Sequence, residues 1–140
     1  RIVLEFLPIF SVSALGQAVA IAERVGRPEV AVLVDTLHLA RSGGSPADLA
    51  TVDARLLPYL QLADATASTP ADLAGLRDEA LHGRLLPGEG VLPLHDVLRA
   101  VPDVAVSVEL RSSALMSAFA DPTERASAVL AATRSVLAGE

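Results

Sequence analysis

Apolar and polar positions follow two rhythms along this chain. Residues 1–7 form an apolar run broken at Glu5, the length of a buried strand. Over residues 13–25 the rhythm becomes helical. Leu15, Ala18, Val19, Ala22 and Val25 share one face, Ser13 is placed to cap the first turn, and Gly26 and Pro28 to end the helix. Residues 29–35 return to a strand, apolar on both faces as parallel strands under helices are. Three further helix starts share one signature: Ser45-Pro46-Ala47-Asp48, Thr69-Pro70-Ala71-Asp72 and Asp121-Pro122-Thr123-Glu124. Each offers a capping oxygen, a proline whose missing N–H costs nothing at the first position, and an acid where the amide donors are free. These helices are predicted to run to about residues 57, 81 and 137. Residues 58–62 and 104–110 read as strands, and 93–100 as a small helix.

The order β-α-β-α-β-α-(α)-β-α predicts an α/β fold with a parallel sheet. A full (β/α)₈ barrel needs roughly 250 residues, and four βα units are half of one. The chain opens on Arg1 rather than methionine, and its first strand begins at once. The joint expectation is that residues 1–140 are the C-terminal half of a TIM barrel, with the N-terminal half absent. A four-stranded piece leaves two sheet edges open. The expected partner is therefore the missing half-barrel or a second copy of the chain.

Composition narrows the function classes. Lys and Arg number 11 against 17 Asp and Glu, a net charge of −6. That balance argues against nucleic-acid and anionic-membrane partners, which rely on clustered cations. With no cysteine there is no disulfide, thiolate nucleophile or Cys-ligated metal. No apolar run is long enough to span a bilayer and no signal peptide is visible, so the expected compartment is the cytoplasm.

The candidate chemistry lies where strands end. Glu5 interrupts the first apolar run, Asp35 closes the second, Gln61 lies in the third with Asp64 just after it, and Glu109 closes the fourth. The C-terminal strand ends form the active-site face of a TIM barrel. Three carboxylates and an amide converging there would repel unless a cation joined them, and an all-oxygen set suits Mg²⁺ or Mn²⁺.

Five segments, in order and at βα spacing, resemble the sugar phosphate isomerase/epimerase, or xylose isomerase-like, TIM barrels. They are Leu4-Glu5-Phe6-Leu7-Pro8, residues 34–43 with Asp35-Thr36-Leu37-His38, Leu60-Gln61-Leu62-Ala63-Asp64-Ala65, residues 83–90 ending in Pro87-Gly88-Glu89-Gly90, and Val108-Glu109. The resemblance implies one divalent metal, Mn²⁺ or Mg²⁺, held by Glu5, Asp35, Gln61 and Glu109. Gln61 stands where the commoner residue is histidine, which disfavours zinc; some dehydroshikimate dehydratase-like members are similar there. The resemblance also implies that His38 and Arg84 contact substrate, and that the two glycines after Pro87 let a loop pass close to the ligand. The implied reaction is isomerisation or epimerisation of a sugar, cyclitol or related keto compound. Glu5 and Glu109 would exchange the proton next to a carbonyl while the metal stabilises the enediolate. Asp35 would serve ligation alone. A lyase of the 3-dehydroshikimate dehydratase type and a non-catalytic binding module are the alternatives. Repair endonucleases of related fold need many more histidines than the 3 present.

Each residue also has a plainer reading. Glu5 would pair with an arginine, Asp35 cap the next turn, Gln61 satisfy backbone groups, and Glu109 pair with Arg111. Asp64 would support the ligands or form a turn, and His82 and His95 sit on solvated helix ends. Arg41-Ser42-Gly43-Gly44 lacks the pattern of a phosphate-binding loop and reads as a connection.

Overall fold

The computed structural model describes residues 1–139. Four parallel strands, β1 (Ile2–Glu5), β2 (Val30–Asp35), β3 (Tyr59–Leu62) and β4 (Ala105–Val108), lie side by side in chain order. Between and after them run α1 (Leu15–Val25), α2 (Thr36–Arg41), α3 (Pro46–Leu49), a 3₁₀ turn (Ala54–Leu56), α4 (Leu73–His82), α5 (Leu94–Ala100), α6 (Ser113–Ala118) and α7 (Pro122–Ala138). Among the described residues no helix is long and apolar enough to cross a membrane.

The strands sit where the hydrophobic runs predict them, and so do α1, α5 and α7. Local hydrogen bonding redraws several helix ends. Ala14, not Ser13, occupies the cap position of α1; the Gln17 side chain reaches back to accept from the Ser13 N–H at 2.7 Å. Asp72, not Thr69, caps α4 by accepting from the Gly75 N–H, because the Thr69 hydroxyl accepts from Arg41 instead. Ser45 and Asp48 form the reciprocal cap expected of them, yet α3 ends at Leu49 rather than near residue 57. There Thr51 donates back to the Asp48 carbonyl and Asp53 accepts from the Arg55 N–H, which diverts the backbone into turns. The short helices α2 and α6 have no counterpart in the sequence reading.

One face of the sheet is the core. Leu4, Val32, Val34 and Leu60 point toward α1 and α5, where Leu15, Ala18, Ala22 and Val97 are buried against them. Leu62 packs with Leu94 and Val136, carrying α7 onto the same side. Because parallel neighbours in register share a face, the opposite face carries Val3, Ala31, Leu33, Tyr59, Ala105 and Ser107. Helices thus cover one side only, with β1 and β4 as edges: the layout of part of a barrel, with the second face turned inward.

Leu60 is fully buried in a central strand. Leu60→Ala is expected to cost about 2–5 kcal/mol, read as a lower urea midpoint with an unchanged slope.

Candidate active site

The sheet register brings the strand-end polar residues to one face. Glu5 pairs with Leu33, two residues before Asp35; Asp35 pairs with Gln61; Gln61 pairs with Ser107, two residues before Glu109. Side chains alternate along a strand, so all four belong to the inward face, at the C-terminal ends of their strands.

Asp35 organises the centre. It is fully buried. Its Oδ1 accepts from the N–H groups of Leu37 (2.8 Å) and His38 (3.1 Å), which starts α2. Its Oδ2 accepts from Arg84 Nη1 at 2.6 Å. The capped turn carries the buried His38 ring back over the strand ends. Its Nε2 lies 3.9 Å from Glu5 Oε1 and 3.3 Å from Arg84 Nη2. Arg84 is itself only 1% exposed; its Nε donates to the Ala80 carbonyl, and Nη2 lies 3.9 Å from Glu109 Oε2. The capping role for Asp35 is therefore realised, and its expected role as a ligand alone is too narrow. Glu109 turns toward Arg84 rather than Arg111.

The electrostatics are those of a crowded acidic centre. Burial pushes the Glu5 carboxyl up to about 7; Asp35 and Glu109 push it the same way, against the pull of Arg84. Burial holds His38 below its ordinary value, with the ring neutral at physiological pH. Two buried oxygens, Glu5 Oε1 and Gln61 Oε1, have no hydrogen-bond partner among the described residues. Such orphans are rare because each carries its full desolvation cost. Ligand atoms of Glu5, Asp35 and His38 all lie within 4.8 Å of one another. Carboxylate oxygens, an amide oxygen and an imidazole fit a divalent cation. In this arrangement His38, assigned from sequence to substrate, joins Glu5 and Asp35, whereas Glu109 lies outside that group.

A cleft of about 820 Å³ opens beside these residues. His38, Arg84 and Glu109 line one wall; Leu7, Phe10 and Leu73 line another, with Arg77 and Arg111 at the rim. His82 and His95 are exposed, as expected, His82 pairing with Asp78. Arg41 grips Glu79 through two hydrogen bonds of 2.7 and 2.8 Å, which ties α2 to α4. Gly88 and Gly90 bring their loop against Asp64. Asp64 accepts from both glycine amides, and a side chain at Gly90 would collide with Asp64 and the Ala65 carbonyl. The sequence signal was present, an acid after β3 and two glycines some 25 residues on, but nothing in one dimension joined them.

The match to known proteins agrees with the fold. A family model described as xylose isomerase-like TIM barrel covers residues 1–135. The chain belongs to the xylose isomerase-like TIM barrel family. A curated relative, the inosose isomerase of Halalkalibacterium halodurans, is 33% identical over 116 residues, 79% of this chain and 39% of its own. The solved structure of IolI with a bound zinc atom superimposes with a TM-score of 0.78 at 24% identity, over 98% of this chain and 48% of IolI. A xylose isomerase domain protein from Alicyclobacillus acidocaldarius gives 0.60 at 25% identity, over 77% and 40%. The chain thus spans half or less of the length of the family members it matches.

The raised Glu5 carboxyl has a consequence for stability. Between the ordinary carboxylate range and about 7 the folded chain holds a proton that the unfolded chain has lost, so stability falls as pH rises through that window. Glu5→Gln removes this penalty. Without added metal at pH 8 the variant should be more stable than the parent by roughly 1–2 kcal/mol, allowing for partial exposure of Glu5; at pH 4 the two should unfold alike. Urea titrations at both pH values measure the difference.

Proposed function

We propose that this chain supplies the C-terminal half of a divalent-metal-dependent isomerase or epimerase. Its substrate is a sugar, cyclitol or related keto compound, and its reaction is proton transfer next to a carbonyl. One observation carries the reading: two partnerless buried oxygens, on Glu5 and Gln61, share a face with Asp35, Glu109 and the neutral His38. The inosose isomerase relative and the zinc in the IolI structure point the same way. Glu5, Asp35 and Gln61 would hold the ion, with Glu109 reaching it from further along the same face and His38 close enough to Glu5 and Asp35 to join them. The oxygen-rich set favours Mn²⁺ or Mg²⁺.

When bound, the ion would polarise the substrate oxygens and make the neighbouring C–H acidic. Glu5 removes the proton next to the carbonyl as a general base, and Glu109 returns one from the other side. His38, neutral, exchanges a hydrogen bond with a substrate oxygen. Arg84 holds Asp35 with one nitrogen and turns another toward Glu109 and the cleft, where it meets the substrate.

The test is metal content and turnover of the complete barrel in deuterated water. One divalent ion per barrel and an equilibrium of two products with deuterium at one carbon is the expected result. A conjugated product absorbing in the ultraviolet would move the reading to a lyase, and neither metal nor turnover would leave a binding module. Glu5→Gln and Glu109→Gln should stay at least about 100-fold slow in excess metal, because an amide carries no transferable proton; full rescue by Mn²⁺ would reduce either to a ligand. Asp35→Asn should also unfold more readily, by about 3–5 kcal/mol, since it leaves the Arg84 guanidinium buried without its anion.

A further inference from the structure

We infer that Asp64 is a positioning residue for Arg84: its carboxylate clamps the 87–92 loop to the end of β3 and so fixes the guanidinium that holds Asp35 and faces His38. The activity arm of its test rests on the function proposed above; the clamp itself does not.

Asp64 is 1% exposed, and no basic side chain forms a salt bridge with it. A buried carboxylate without compensation is very costly. Here compensation comes wholly from the backbone. Oδ1 accepts from the N–H groups of Ala65 (2.8 Å) and Leu92 (2.9 Å). Oδ2 accepts from those of Gly88 (3.1 Å) and Gly90 (3.0 Å). Three of these donors lie in one short loop, which the carboxylate gathers as an anion gathers a nest of amides. The loop closes only with glycine at the contact point. Gly88 has φ +90°, and a Cβ on Gly90 would sit inside contact distance of Asp64 Oδ1 and the Ala65 carbonyl.

The main chain of Asp64 extends the clamp to Arg84. Its N–H donates to the Leu85 carbonyl (3.0 Å), and its carbonyl accepts from the Leu85 N–H (2.9 Å). On the other side the Arg84 N–H donates to the Arg111 carbonyl (3.3 Å), and Gly83 bridges Ser112. Arg84 lies past the end of α4, so no helix fixes its backbone. A long arginine loses considerable rotamer freedom on being held in one place. Its side chain is held by Asp35 and the Ala80 carbonyl, while its backbone is placed by these two flanking contacts, of which the Asp64 side carries the four additional hydrogen bonds. Asp64 touches neither the cleft nor the inward cluster; it acts through Arg84.

Asp64→Asn tests this in the intact protein. The change keeps the shape but points an amide N–H₂ at backbone donors. In the unsubstituted protein, the amides of Gly88, Gly90 and Leu92 and the Arg84 Nε–H should exchange with solvent through one common opening; independent exchange of the Arg84 proton would overturn the proposal. Asp64→Asn should abolish that protection at Arg84. Gly90→Ala, which displaces the loop without removing the charge, should do the same if Asp64→Asn does not fold. Protection retained at Arg84 in a folded variant would overturn the proposal whatever the activity. In turnover, measured where circular dichroism shows the variants folded, kcat/KM should fall about 100-fold. It should fall little further when Asp64→Asn is added to Arg84→Ala, since both remove the same contact. Losses that multiply would mean that Asp64 serves stability only, and overturn the assignment. A wild-type protein without turnover would defeat the proposed function, and the exchange measurements would then decide the positioning role alone.

Discussion

The buried contact between Asp35 and Arg84 is the constraint on which the candidate site depends. Parallel strands bring Glu5, Asp35 and Glu109 to one face at neighbouring strand ends, where like charges repel. Arg84 answers that repulsion by lying between Asp35, at 2.6 Å, and Glu109, at 3.9 Å. The same aspartate starts α2, and α2 delivers His38. One carboxylate therefore sets the register of a helix, the place of a cation and the approach of an imidazole. Burying such a pair costs desolvation on both sides, and it persists where hydrogen bonds fill the remaining valences, as the two backbone donors to Asp35 do.

Hydrogen-bond satisfaction is uneven across the buried polar groups. Asp64, as deeply buried, has both oxygens filled by four backbone donors. Glu5 and Gln61 each keep a buried oxygen without a hydrogen-bond partner among the described residues. A stable fold tolerates few such groups, and here two share one face beside a neutral histidine. The elevated Glu5 carboxyl is the same fact seen as a proton equilibrium: the folded chain would rather hold a proton there than a bare charge.

The half-covered sheet follows from the same economy. Helices bury Val32, Val34 and Leu60 on one side, and that side forms a continuous core. The other side mixes apolar residues such as Val3, Leu33 and Tyr59 with small and polar ones, Ala31, Gln61, Ala105 and Ser107, as the interior of a closed barrel does. The family to which the chain belongs closes its sheet in this way, and the chain spans 48% of IolI and 39% of the inosose isomerase.

Much of the fold was legible in one dimension because hydrophobic periodicity is a local property. The apolar runs at residues 2–5, 30–35, 59–62 and 105–108 announced strands, and Pro46 and Pro122 announced helix starts with their capping acids. Strand-end polarity likewise pointed to Glu5, Asp35, Gln61 and Glu109, since alternation and register follow from the strand itself. Other features belong to tertiary structure, because they are contacts between segments distant in sequence. Thr69 yielded its cap to Asp72 because Arg41, from another helix, took the hydroxyl. Arg84 became buried because Asp35, 49 residues away, gave it an anion. The amides of the 87–92 loop close on Asp64, more than twenty residues earlier, because a buried carboxylate had to be satisfied. Sequence determined which side chains stand at the strand ends; only the folded chain decided which partner each of them found, since hydrogen-bond and charge satisfaction is settled in three dimensions.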